Sequence, residues 1–142
     1  MWKDYEEAVF REFKRVLHFK NVVIKKNIYV VVKDSGVKRQ IDVCLEYMKD
    51  GQLDLTTVVE CKYYSTKVNV KVVDSFIGFL EDVGADNGII VTEKGFSKAA
   101  IERAHKGKND IEVDILNMGE LSEFQREAAL PYSGDYCLAL SI

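Results

Sequence analysis

The sequence predicts an α/β fold, a mixed central sheet in which an antiparallel meander continues into a parallel βαβ crossover, flanked by helices. Three observations lead there. Apolar residues recur at helical spacing at the start of the chain. β-Branched runs separated by turn residues follow, and after them helical stripes alternate with short apolar segments.

Over residues 4–19, Tyr5, Val9, Phe13, Val16 and Leu17, with Trp2 just ahead, form one apolar stripe and predict an amphipathic helix. Asp4 as N-cap and Glu7 three positions later resemble a capping box. Residues 22–32 are rich in β-branched side chains, and Asp34-Ser35-Gly36 supplies a turn before a second extended run, 38–48. Lys49-Asp50-Gly51-Gln52 is a second turn, leading to a strand over 53–63, so the three strands form a meander.

The period then becomes helical. Val70, Val73, Phe76, Ile77, Leu80 and Val83 align on one face, with Asn69 as N-cap and Gly84 as the stop. Gly88-Ile89-Ile90-Val91 is wholly apolar, as expected for a strand covered on both faces. Ser97 caps a helix running to about Lys106, and Ile111, Val113 and Ile115 alternate with Glu112 and Asp114 in a further strand. A helix over 121–129 ends before Pro131, and 136–140 forms a last edge strand.

At 142 residues, with no repeat or linker-like break, residues 1–142 are expected to form one domain. Nine glycines and one proline exclude collagen-like and proline-rich disordered classes. The charged N-terminal stretch lacks the apolar core of a signal peptide, and no run is long enough to span a bilayer. Cys44, Cys61 and Cys137 suit neither a disulfide framework nor a zinc site, so the expected setting is cytoplasmic and reducing, away from membranes. The net charge of −3 hides nine Lys/Arg against two acids in residues 11–40, which form either a basic face or ordinary solvated positions.

The chemistry gathers on two strands. Residues two apart in a strand share a face, so Glu60 and Lys62 of Val58-Val59-Glu60-Cys61-Lys62 project together. If the tight turn pairs this strand with the preceding one, Asp42 lies beside Glu60. Two carboxylates so close repel each other unless a cation intervenes, and their hard oxygens, with the Cys61 carbonyl, suit magnesium. Such a metal would serve phosphodiester hydrolysis, with Lys62 either orienting water or stabilising charge. Glu6 falls inside the apolar arc of the first helix. It must find a partner there, either a shared metal or a backbone or arginine contact. Glu7 points elsewhere and reads as a cap. Cys61 faces the opposite side and reads as core.

Tyr5-Glu6, Arg39-Gln40-Ile41-Asp42, Val58-Val59-Glu60-Cys61-Lys62 and the segment Gly84 to Thr92 followed by Gly95-Phe96-Ser97 together resemble the catalytic domain of Mrr-type restriction endonucleases, of the PD-(D/E)XK nuclease superfamily. The resemblance spans residues 5–121. It implies a restriction-endonuclease-like fold and a magnesium-dependent DNA endonuclease, manganese being able to substitute. Asp42, Glu60 and the Cys61 carbonyl would be metal ligands, Lys62 the catalytic lysine and Glu6 an auxiliary acid. Ile41 replaces the proline of the superfamily name. Mrr-type enzymes usually carry a separate DNA-reading domain, for which 142 residues leave no room, so structure-directed or relaxed cleavage is expected. A Holliday-junction-resolvase-like nuclease and a non-catalytic binding module are the alternatives. A homodimer follows from the need for one site per strand.

His18 and His105 have no catalytic partner at a recognisable spacing. Ser97 with Lys98 reads as a helix cap or a phosphate site, and Lys67 and Lys71 as DNA-backbone contacts or solvated lysines.

Overall fold

A computed structural model describes residues 2–17, 21–32, 34–62, 66–106 and 112–117. Along the chain run α1 (Trp2–Leu17), β1 (Val22–Val31), β2 (Lys38–Lys49), β3 (Gln52–Lys62), α2 (Val70–Val83), β4 (Asn87–Thr92), α3 (Lys98–Lys106) and β5 (Glu112–Asn117). The expected helix over 121–129 and strand over 136–140 lie outside the described residues, as do His18, Phe19, Tyr63, Ile111 and Cys137.

The strands form one sheet in the order β1-β2-β3-β4-β5. β1, β2 and β3 pair antiparallel, whereas β3-β4 and β4-β5 pair parallel, so the meander does run on into a crossover. The β2–β3 hairpin closes through Asp50 (φ 53°) and Gly51 (φ 77°), two successive left-handed residues whose twist matches that of paired strands.

Helices cover both faces. On one, Tyr5, Val9, Phe13, Val16 and Leu17 of α1 pack on Val43, Leu45, Val59 and Ile89. On the other, Val73, Phe76, Ile77 and Leu80 of α2 and Ala100 and Ala104 of α3 pack on Cys44, Val58, Ile90 and Val113. Every residue of β4 is buried, as its apolar run predicts. α2 starts on Asn69, whose side chain accepts from the Val72 N–H at 3.2 Å, and it ends at the left-handed Gly84.

β4 and α2 pack closely at Gly88. A Cβ there would stand 2.6 Å from two ring carbons of Phe76 and 2.7 Å from a Leu80 methyl, and both side chains are locked in the core. Gly88→Ala is therefore expected to destabilise the fold by about 1–3 kcal/mol, read as a lowered denaturation midpoint at unchanged m-value.

Two assignments at the first helix change. α1 begins at Trp2, so Asp4 sits within its first turn and not at its cap. Glu7 is not a cap either. Its carboxylate accepts from Lys26 Nζ of β1 at 2.6 and 2.7 Å, and that ammonium lies 4.8 Å from the centroid of the Phe10 ring. An inter-element ion pair outweighs a local cap here because β1 brings Lys26 directly beneath the helix.

Strict alternation also fails in β1 and β2. Val22 and Ile24 pack towards α1, while Ile28 and Val30 pack towards α2. β2 reverses at the same level, with Val43 on the α1 side and Ile41 on the α2 side. The pivot is Asn27, with φ 50°, opposite Asp42. These two are skipped in an otherwise continuous ladder between Lys26↔Val43 and Ile28↔Ile41. A local twist of this kind re-aims side chains.

Candidate active site

The β2–β3 ladder runs as far as Val43↔Val59 and there the described pairing stops. Asp42 is the next residue on β2 and Glu60 the next on β3. The Cys61 N–H, past the last rung, donates to Asp42 Oδ2 at 3.0 Å, so the carboxylate occupies the gap where the strands part. Asp42 thus lies beside Glu60 as expected, though by way of a one-residue register shift between Tyr47 and Met48, and the two carboxylates interact electrostatically. Lys62 Nζ lies 3.7 Å from Glu60 Oε1, as expected for two residues sharing a strand face. In the parallel ladder Glu60 pairs with Ile90 and Lys62 with Thr92, which fixes both against the buried β4.

Burial is the largest influence on both acids. It raises the Glu60 carboxyl above its ordinary value, helped by the Asp42 charge and opposed by Lys62 and Arg39. It raises Asp42 likewise, opposed by the Cys61 N–H and by Lys62. Burial thus outweighs the nearby cations at both carboxyls. Cys61 packs against the α1 core as expected, and its thiol is pushed up by burial and by the charges of Asp42, Glu6 and Glu60. Glu6 is half-buried and lines a cleft together with Asp42. The structure thus brings all four predicted side chains, Glu6, Asp42, Glu60 and Lys62, around the Cys61 backbone.

Among the described residues no three His, Cys, Asp or Glu side chains form a ready-made metal cluster. Magnesium does not require one, since it is commonly held by one or two carboxylates with waters and substrate oxygens. Two hard carboxylates on adjoining strands, both raised by burial against the opposing charge of Lys62, fit such an ion, and the Cys61 carbonyl is chemically suited to join them.

One residue at this site carried no role in the sequence reading. Arg39 donates from Nη1 to Asp82 at 2.8 Å, stacks 4.6 Å from the Phe79 ring centroid and lowers the Glu60 carboxyl. It lines a second cleft with Glu60, Lys62, Asn69, Lys71 and Ser75. Its place in Arg39-Gln40-Ile41-Asp42 was the available signal, but alternation alone sets Arg39 and Asp42 on opposite faces. The reversal at Asn27 and Asp42 instead turns Arg39 to the α2 side of the sheet, where it shares a cleft with Glu60 and Lys62 while Asp42 lines the other.

The remaining candidates sort clearly. Lys71 lines the Glu60 cleft, whereas Lys67 is simply exposed. Ser97 Oγ accepts from the Ala100 N–H at 3.1 Å, which is a cap. His105 is exposed in the last turn of α3. Of the early cations, Arg11, Arg15, Lys25, Lys26 and Arg39 each meet a carboxylate. Cys44 and Cys61 are free thiols. Among the described residues no helix is long and apolar enough to cross a membrane.

The Mrr_cat family model, described as restriction endonuclease, matches residues 2–124. No curated protein matches the chain. Solved structures that share its fold include AF1548, VC1899 and MspJI. A protein of unknown function, AF1548, is 20% identical with a TM-score of 0.60, over 89% of this chain and 72% of its own. VC1899 from Vibrio cholerae is 14% identical with a TM-score of 0.62, over 85% of this chain and 31% of its own. The MspJI restriction endonuclease, solved in complex with a 27-mer oligonucleotide, is 17% identical with a TM-score of 0.56, over 98% of this chain and 31% of its own. The chain thus spans about a third of the length of the latter two.

Proposed function

The chain belongs to the Mrr_cat restriction endonuclease family, and from that membership and the geometry of its site we propose that it is a magnesium-dependent DNA endonuclease. The observation that carries this reading is the convergence of Asp42, Glu60 and Lys62 where β2 and β3 part, with both carboxylates raised by burial.

Asp42, Glu60 and the Cys61 carbonyl would hold the ion, with manganese able to substitute and Glu6 as an outer acid. When bound, the ion supplies Lewis-acid chemistry at the phosphodiester and offsets the paired carboxylates. Asp42 is fixed in orientation by the Cys61 N–H. Lys62, the cationic half of an ion pair with Glu60, is suited to stabilising negative charge that develops on the phosphoryl oxygens. Arg39, held flat on Phe79, adds a second cation to the cleft that Glu60 and Lys62 line. Each site cuts one strand, so a homodimer belongs to the same reading.

The test is cleavage of DNA by the purified chain. Activity that requires magnesium, stops on chelation and falls by at least about 100-fold in Asp42→Asn is the expected result. Cleavage that persists without divalent cations and in Asp42→Asn overturns it.

A further inference from the structure

Two clefts adjoin the Asp42 and Glu60 pair, and they differ in charge. The one on the α2 side carries Arg39, Lys62 and Lys71 around Glu60, a setting for phosphodiesters. The other, on the α1 side, is lined by Glu6, Glu7 and Asp42, and Lys26, its cation, is already paired with Glu7. That second cleft, of about 330 Å³, carries more acid than cation, so beyond the ion proposed at Asp42 it offers a phosphate no direct partner.

What it presents instead is Tyr29, 65% exposed, with Asn27 and Gln40 beside it. Tyr29 and Gln40 are register partners, and Gln40 Nε2 donates to Asn27 Oδ1 at 3.3 Å. An open aromatic face flanked by two carboxamides is the chemistry that receives a nucleobase: the ring stacks on it, and amides match the donors and acceptors of its edge. The reversal at Asn27 builds this arrangement. With simple alternation from Val22 and Ile24, Tyr29 would point to the α2 side, away from Glu6. A left-handed non-glycine residue is held at some cost, and such positions gather at functional sites.

We propose that this cleft takes an unpaired nucleobase of the DNA strand being cut, stacked on Tyr29 with its edge towards Asn27 and Gln40. The preferred substrates then carry an unpaired nucleotide at the cut. A base in continuous duplex must first be extruded, at a cost that an unpaired one does not meet. The proposal rests on the nuclease reading above and names its substrate class.

The experiment compares two DNA substrates of one sequence, a continuous duplex and the same duplex with a short bulge, in the wild type, Tyr29→Ala and Tyr29→Trp. The wild type is expected to prefer the bulged substrate. Tyr29→Ala is expected to lose roughly 5- to 150-fold on it and to bring the preference towards unity, while Tyr29→Trp keeps the preference. Binding is read separately in a Lys62→Ala background with 2-aminopurine at the bulge. Its fluorescence falls on binding if Tyr29 is present and does not fall with Tyr29→Ala. Wild-type cleavage with a preference unaltered in Tyr29→Ala overturns the base site and leaves the nuclease reading standing. Quenching that depends on Tyr29, without cleavage of any substrate by the wild type, overturns the nuclease reading and supports the base site.

Discussion

Lys62→Ala is expected to lower DNA cleavage by on the order of 10²–10⁴-fold, with the loss in kcat and little change in KM. Lys62 is the last residue of β3, its side chain is 25% exposed, and its ammonium lies 3.7 Å from Glu60. Truncation at such a position removes a charge from the site without opening the core. Single-turnover kinetics on saturating DNA measure the effect, and circular dichroism verifies the fold. Lys62→Arg separates the two roles open to a lysine. Partial recovery of rate supports charge stabilisation. Failure of arginine combined with rescue by small added amines supports proton transfer.

Glu60→Gln is expected to act in opposite directions on activity and stability. Cleavage should fall by about 100-fold or more, since a carboxylate proposed to hold the metal is lost. The metal-free protein should become more stable at neutral pH. The Glu60 carboxyl titrates above its ordinary value of 4.5 in the folded chain because burial and Asp42 outweigh Lys62 and Arg39. A group raised in the folded state contributes stability fully below its unfolded value, and that contribution is lost as pH rises through the folded one. Near neutral pH the burial of this carboxyl is therefore unfavourable without a metal, and the neutral isostere relieves it. Thermal melts in chelator should show a higher Tm for the variant at pH 7, with the gap closing as the pH is lowered into the acidic range. Added magnesium should raise the wild-type Tm and leave the variant unmoved. A variant less stable than the wild type at pH 7 in chelator would mean that the Lys62 pair outweighs burial.

Glu60 and Lys62 were legible in the sequence because strand geometry alone puts residues two apart on one face. Asp42 was legible only in part. Asp50-Gly51 favours a two-residue hairpin that pairs Lys49 with Gln52, but a one-residue register shift between Tyr47 and Met48, which no turn residue announces, moves the position opposite Asp42 from Val59 to Glu60. α2 was legible at both ends, since Asn69 and Gly84 each have a local reason to stand where they do. Other features depend on contacts far apart in the chain. Nothing near Glu7 announces Lys26, nineteen positions away. Nothing around Asn27 announces a left-handed residue, because asparagine tolerates that conformation without requiring it. Arg39 and Tyr29 went unassigned for the same reason, since their orientation depends on a reversal that periodicity cannot register.

The hydrogen bond that orients Asp42 has a consequence for how this site can vary over evolutionary time. Its donor is the main-chain N–H of Cys61, which every residue except proline supplies. Substitutions at position 61 can retune the packing against α1, or exchange the thiol for something less oxidisable, without withdrawing that donor. The anchor of the proposed active site is thus uncoupled from the identity of the residue that provides it, and drift at this position is buffered.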